Sequence, residues 1–167
     1  NETKYEVIVV DDGSKDQTKE IENDIGGIQV IHNTSPLGFI GACNVGVSKA
    51  SGEFIVLLNI DREVTYGWLD ELVEGFTNFE NVGAVGSRLL YPNGTLQDAG
   101  GIVYGNGQTA NYGQKQNPWN PKFRYARQVD YLSVAALMTK KFIWNEIKGL
   151  SEYLYPMYYQ DTDFSFK

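Results

Sequence analysis

The sequence predicts an α/β fold, with a mainly parallel central sheet flanked by helices. Short apolar runs typical of buried strands alternate, up to residue 85, with segments whose apolar residues recur at helical spacing. The runs show little polar alternation, as expected for strands covered on both faces. Acidic residues directly follow two of the runs, and ligands of such sheets bind beyond the carboxyl ends of the strands.

The first half of the chain divides into four predicted strands and three predicted helices. The strands are expected over residues 5–10, 28–32, 53–58 and 82–85. The segment from Ser14 to Gln17 matches the capping-box pattern, so a first helix is expected to begin there and end near Asn23. A glycine-containing helix over 37–50 and an amphipathic helix over 66–79 follow.

The pattern changes from residue 88 onwards. Residues 88–95 are predicted to be extended around a Pro-Asn-Gly turn, and residues 97–121, rich in Gly, Asn, Gln and Pro, are predicted to form a long loop. The pair Gly100 and Gly101 suggests that this loop is a lid. An extended apolar segment over 129–139, a helix over 140–148 that ends at Gly149, and a further helix after residue 158 complete the prediction.

Composition limits the function. A chain of 167 residues is expected to form a single domain over residues 1–167. Its net charge of -7 argues against a nucleic-acid partner. One cysteine suits a reducing compartment, and no apolar run approaches the roughly 20 residues of a membrane-spanning helix. A cytoplasmic location is therefore expected, with peripheral attachment to the inner face of a membrane as an alternative.

The acidic residues at the strand ends allow two interpretations. Asp11 and Asp12 follow the first strand and Asp61 follows the third, so these carboxylates should open onto one edge of the sheet and repel each other. A divalent cation such as Mg²⁺, held jointly with a substrate diphosphate, would relieve the repulsion. Alternatively, Asp11 and Asp12 are turn and capping residues. The residues alone leave both interpretations open.

Six motifs in order resemble the family 2 inverting glycosyltransferases, which have the GT-A nucleotide-sugar-binding fold. They cover nearly the whole chain: VIVVDDGSKDQT, LGFIGACNVGVSKASGEFIVLLNID, GWLDELV, VGAVGSRLLYPNGTLQDAGG, VDYLSVAALMTKK and MYYQDTDFSFK. The stretch LLYPNGTLQDAGG is most similar to rhamnosyltransferase-like bacterial members that build surface polysaccharide. The resemblance implies inverting sugar transfer from a UDP- or dTDP-linked donor to an acceptor hydroxyl on a glycan or lipid-linked glycan.

The resemblance also implies roles for residues at the donor site. Asp11 would accept a hydrogen bond from N3–H of uracil or thymine, and Asp12 would lie near the nucleotide. Asn44 could contact the diphosphate. Where the family has Asp-x-Asp this chain has Asn59-Ile-Asp61, so Asp61 would be the main ligand of Mg²⁺ or Mn²⁺ and Asn59 a weaker, neutral partner.

The catalytic base is implied by a second motif near the carboxyl end. The family's Glu-Asp pair appears here as Gln160-Asp161, so Asp161 would be the general base, and Asp163 is a lesser candidate. Family members begin with a strand and helix that this chain lacks, and they continue past its carboxyl end. We therefore expect a fragment with little transferase activity of its own.

Other interpretations remain open at this stage. A phospho-acceptor receiver domain also has an acidic pair after its first strand, but it is shorter than this chain. A nucleotidyltransferase would need a basic, glycine-rich loop that the sequence lacks. A catalytically inactive carbohydrate-binding remnant would fit Asn59 and Gln160. Among single residues, Arg88 is a candidate for a phosphate and exposed Trp119 for a sugar ring.

Overall fold

The computed structural model describes residues 1–167, except for the side chain of Lys19. The strands are β1 (Ile8–Asp11), β2 (Gln29–His32), β3 (Phe54–Leu58), β4 (Ala84–Gly86), β5 (Leu89–Leu90), β6 (Leu96–Asp98), β7 (Gly101–Val103), β8 (Thr109–Asn111) and β9 (Ala136–Lys140). The helices are α1 (Gly38–Lys49), α2 (Trp68–Asn78), α3 (Lys141–Glu146) and α4 (Gln160–Phe166). Short 3₁₀ turns cover Gln17–Asn23, Pro121–Phe123 and Glu152–Leu154.

The prediction of a mainly parallel sheet is wrong in part. β1 and β2 pair in parallel, with Val9 opposite Val30. β9, in contrast, lies between β3 and β4 and is antiparallel to both. The chain leaves the sheet after β4 and returns through its middle in the opposite direction, so β3 and β4 are parallel to each other without touching. Among the described pairings, β1 and β3 each keep one unpaired edge.

Helices cover both faces of β9, as predicted for the central sheet. On one face, Leu137 joins a buried cluster that contains Ile40 of α1 and Ile55 of β3. On the other face, Met138 packs against Leu72 of α2. This burial is why the first three residues of β9, Ala136 to Met138, are all apolar. It also fixes the carboxyl end of β3, where the candidate site lies.

Two local predictions are wrong. The Ser14 capping box does not form, because Asp16 instead caps the 3₁₀ turn by accepting a hydrogen bond from the N–H of Thr18 at 3.0 Å. Part of the predicted long loop over 97–121 is the hairpin β7–β8. Gly101 is explained by close packing, since a Cβ there would lie 2.0 Å from the ring of Tyr131. None of the helices in the described residues is long and apolar enough to cross a membrane.

Candidate functional site

Asp11 ends β1 as a buried carboxylate, with 5% of its surface exposed. Its Oδ1 accepts a hydrogen bond from the N–H of Ser14 at 2.9 Å, and its Oδ2 lies 2.9 Å from Nδ1 of His32. Hydrogen bonding from the Ser14 side chain, then from His32 and then from the N–H of Ser14 lowers the pKa of Asp11 to about 2. Asp11 is therefore ionised and held in place from two sides. Its contact with a nucleotide base stays a prediction.

His32 was assigned no role in the site from the sequence, yet it is the side-chain partner of Asp11. The two residues are opposite each other in the parallel register of β1 and β2. The second ring nitrogen of His32, Nε2, lies 3.3 Å from the Glu22 carboxylate. The bond to Asp11 and then that to Glu22 outweigh desolvation and raise the pKa of His32. Contacts to carboxylates at both nitrogens are those of the protonated ring.

Asp12 ties β1 to the start of α1. Its carboxylate accepts hydrogen bonds from the N–H groups of Leu37 and Gly38 at 2.8–3.0 Å and from the side chain of Asn33 at 2.7 Å. Burial opposes ionisation, but these bonds outweigh it and lower the pKa of Asp12. No side chain within α1 caps its amino end. Asp12 therefore caps the amino end of α1. A capping residue can still lie beside a nucleotide, so that role stays a prediction.

Asn44 is engaged in packing. Its Nδ2 donates to the carbonyl of Leu150 at 2.9 Å, and its Oδ1 accepts from the N–H of Leu150 at 3.1 Å. The paired bonds join α1 to the segment after α3. The predicted contact of Asn44 with a diphosphate stays a prediction, and it would require one of these bonds to break.

The turn after β3 carries Asn59, Asp61 and Arg62. The N–H of Asn59 donates to the carbonyl of Ala135 at 3.1 Å, and the N–H of Arg62 closes the turn onto the carbonyl of Asn59 at 3.1 Å. The Asp61 side chain is 69% exposed, with Oδ1 3.4 Å from Nε of Arg62. Arg62 in turn donates through Nη1 to Oε1 of Gln97 at 2.8 Å.

This turn fits a divalent cation only as a shared site. The described residues contain no group of three His, Cys, Asp or Glu side chains that could hold a metal. Asp61 offers one accessible carboxylate, and Asn59 is the neighbouring amide. Mg²⁺ and its analogues often take one or two protein carboxylates and fill the remaining positions with phosphate oxygens and water. The donor set is therefore suitable for a cation that arrives with a diphosphate.

Asp161 lies in the first turn of α4 with unusual surroundings for a carboxylate. Its Oδ2 accepts a weak hydrogen bond from the N–H of Val134 at 3.4 Å, while its buried Oδ1 has no hydrogen-bond partner among the described residues. Burial, and to a smaller extent the charge of Asp98, raise the pKa of Asp161. A raised proton affinity and a free oxygen are what a general base needs.

Neighbouring polar residues of α4 have other partners. Oε1 of Gln160 accepts from the N–H of Tyr158 at 2.6 Å, within its own loop. Asp163 accepts from the hydroxyls of Ser151 and Tyr153 at 2.6 and 2.7 Å and pairs with Lys167. These bonds outweigh burial and lower the pKa of Asp163. These contacts suit an anchoring role, and Asp163 as a lesser candidate for the base stays a prediction.

The turn after β3 and the helix α4 meet at one segment of the chain. Asn59 is bonded to Ala135 and Asp161 to Val134, which are adjacent residues just before β9. This contact brings the predicted metal ligand and the predicted base to the same edge of the β3–β9–β4 sheet. Asp11 and Asp12 lie at the end of β1, which belongs to a different sheet, paired with β2.

Sequence reasoning missed Asp98, and it gave Arg88 a different role. Asp98 is 3% exposed, accepts from the N–H of Gly100 at 2.6 Å, and has a pKa that burial raises. The motif LQDAGG is the sequence signal for Asp98.

Arg88 donates to the carbonyls of Pro118 and Phe123 and so holds a loop, and its contact with a phosphate stays a prediction. Trp119 is 68% exposed, as a stacking residue would be. Burial raises the pKa of the Cys43 thiol to about 12, and the negative charge of Asp161 adds to the shift.

Comparisons with known proteins point to one family. The sequence model described as Glycosyl transferase family 2 matches residues 1–144. A protein of Sinorhizobium fredii named y4gI is 29% identical over 98% of this chain and 19% of its own length. The O-antigen biosynthesis protein RfbC of Myxococcus xanthus is 46% identical over 41% of this chain and 5% of its own length. The chain thus spans a small part of these relatives.

A solved structure shares the fold. It is the crystal structure of GalNAc-T7 with UDP, GalNAc and Mn²⁺. It superposes with a TM-score of 0.71 over 96% of this chain and 34% of its own, at 17% sequence identity. At that identity the likeness establishes a GT-A-like α/β fold and leaves chemistry to be argued from the residues.

Proposed function

Because this chain belongs to glycosyl transferase family 2, we propose that it forms the donor site and carries the catalytic base of an inverting glycosyltransferase. One observation carries the proposal. The buried carboxylate of Asp161, whose pKa is raised, accepts a hydrogen bond from the N–H of Val134, and the turn that carries the accessible carboxylate of Asp61 is bonded through Asn59 to the adjacent residue Ala135. The first suits a base, and the second suits the leaving-group side of the reaction.

The proposed reaction follows from these two positions. Asp161 accepts the proton of an acceptor hydroxyl as the hydroxyl oxygen attacks the anomeric carbon from the side opposite the leaving group. The bond from the anomeric carbon to the diphosphate oxygen breaks, the electron pair leaves with the diphosphate, and the configuration inverts. A cation held by Asp61 and Asn59 with the diphosphate would supply charge neutralisation for the leaving group.

The substrates belong to the proposal as well. We propose a UDP- or dTDP-linked donor and a glycan or lipid-linked acceptor. The relative RfbC is named for O-antigen biosynthesis, and the structural neighbour is described with UDP and Mn²⁺. Membership of a rhamnosyltransferase-like bacterial subgroup, and a cytoplasmic location, rest on the resemblance and composition alone. The family match leaves the receiver-domain alternative without support.

The first test is nucleotide binding. We expect titration calorimetry of the intact protein to detect one of UDP, dTDP and GDP in the presence of Mn²⁺, and Asp61→Ala to weaken that binding. Binding of none of them by folded protein would overturn the donor site. It would favour the inactive carbohydrate-binding remnant, the candidate that Asn59 and Gln160 support.

The second test separates the base from the donor site. A positioned base contributes a rate factor of about 10²–10⁴, so Asp161→Asn should lose roughly 2.7–5.4 kcal/mol of transition-state stabilisation and keep its nucleotide affinity. Glu80→Gln, at an exposed position distant from the site, is the matched control. Turnover by Asp161→Asn equal to that of the control would remove Asp161 from the role.

A further inference from the structure

We propose that Arg62 is a binding residue for the diphosphate of the donor, so that nucleotide binding here is only partly dependent on a divalent cation. The inference rests on the proposed function and deepens it. The turn after β3 carries one carboxylate, on Asp61, and one guanidinium, on Arg62, and its formal charge is therefore zero. A turn of this kind can offer a diphosphate a cation of its own.

The Arg62 side chain is held in place but incompletely bonded. It is 22% exposed, and Nη1 donates to Gln97 at 2.8 Å. Its Nε is buried and makes no hydrogen bond with any described residue, because Asp61, 3.4 Å away, lies outside hydrogen-bonding geometry. A guanidinium has five N–H donors, and leaving a buried one unpaired is unfavourable. The exposed part of the guanidinium has further N–H donors, which an anion could accept from.

The charges around the site favour this assignment. Asp61 lies on this turn and Asp161 is bonded to the segment that the turn contacts, and these carboxylates would repel a diphosphate unless a cation intervenes. Two other cationic side chains near the strand ends are committed elsewhere. Arg88 is bonded to the carbonyls of Pro118 and Phe123, and His32 to the carboxylate of Asp11.

The geometry also suggests how Arg62 and Asp61 share the site. The planar guanidinium can bind two phosphate oxygens at once, and the bond to Gln97 fixes its plane. Without ligand, Asp61 and Arg62 partly neutralise each other. A diphosphate would take the guanidinium as its partner and release the Asp61 carboxylate. The two residues therefore act together: Arg62 pairs with Asp61 in the free protein and with the diphosphate in the complex.

The test measures UDP affinity by calorimetry in EDTA and in Mn²⁺, on the intact protein and four variants. Arg62→Gln removes the charge, Arg62→Lys keeps it without the planar fork, and Asp61→Asn removes the competing carboxylate. Lys49→Gln is the matched control. It also removes one positive charge, at an exposed position at the carboxyl end of α1. Circular dichroism verifies that each variant is folded.

In EDTA we expect Arg62→Gln to bind UDP about ten- to a hundredfold more weakly than the unaltered protein, the range typical of a lost hydrogen bond to a charged group. Arg62→Lys should be intermediate and Lys49→Gln unchanged. Asp61→Asn should bind more tightly in EDTA and lose the enhancement by Mn²⁺, an opposite effect that general damage to the fold would not produce.

Two results would overturn the inference, and they are distinguishable. If UDP binds with Mn²⁺ but Arg62→Gln and Lys49→Gln have the same affinity under both conditions, Arg62 has no part in binding and the proposed function stands. If the unaltered protein binds none of UDP, dTDP and GDP under either condition, the proposed function fails and the inference fails with it.

Discussion

At the scale of single residues, the carboxylates of the site separate by environment. Hydrogen bonds lower the pKa of Asp11, Asp12 and Asp163, whereas burial raises the pKa of Asp98 and Asp161. The first group is stabilised as ions that organise the backbone. The second group keeps a high affinity for protons. Of the second group, Asp161 in the first turn of α4 is the proposed base.

His32 predicts a pH dependence of stability. Its pKa is raised in the folded protein, so its contribution is fully present below its ordinary value of 6.5 and is lost as the pH rises through the folded value. In urea unfolding, His32→Gln should lower the free energy of unfolding more at about pH 5.5 than at about pH 8.5. A cycle with Asp11→Asn tests the origin of the effect, because the pH-dependent loss should shrink when the partner is removed. Equal losses at both pH values would contradict the pairing.

At the scale of elements, Asp12 predicts how α1 depends on β1. Asp12→Ala removes the acceptor for the N–H groups of Leu37 and Gly38 and should cost about 1–3 kcal/mol of unfolding free energy, the range of a lost cap with charge-assisted bonds. Asp16→Ala is the control, since it removes only one bond to an exposed 3₁₀ turn. Equal unfolding midpoints for the two variants would show that α1 begins without help from Asp12.

The elements also show what sequence can and cannot predict. The apolar runs of β2 and β3 and the periodic face of α2 are local signals, and these elements form close to the predicted bounds. The direction of β9 is set by the connection that precedes it, which a residue pattern does not encode. Three-residue strands such as those of β7–β8 are too short for a periodic signal. Gly101 was given to a lid, whereas the Tyr131 ring that it accommodates is distant in sequence.

The residues of the candidate site divide in the same way, into those with a local sequence signal and those whose partners are distant in sequence. Asp61 and Asp161 are predicted from motifs because each belongs to a recognisable local pattern. Arg62 was missed because the residue that orients it, Gln97, is 35 positions away and the pair exists only after folding. Asp98 was missed for a related reason, since its burial depends on segments assembled from the second half of the chain. Long-range partners therefore account for the residues that local reading omitted.

At the scale of the whole molecule, the fold consists of sheets joined by a shared helix. α1 contacts β1 on one side and packs its Ile40 and Val47 with Ile55 and Leu57 of β3 on the other. No pairing between β1 and β3 is present among the described strands. Asp11 and Asp12, at the end of β1, and the residues after β3 are therefore positioned relative to each other largely through α1, which gives Asp12 an effect beyond its own turn.

The unpaired edges of β1 and β3 have a further consequence, for the solubility of this polypeptide. An open strand edge presents unsatisfied N–H and C=O groups that can template the addition of another chain, and aggregation begins in this way. Val7 and Leu58 flank these edges and are exposed. We expect the 167-residue chain to form thioflavin-positive aggregates at high concentration, and Val7→Lys with Leu58→Lys to delay them, as measured by light scattering. An unchanged lag time would place the onset of aggregation elsewhere in the molecule.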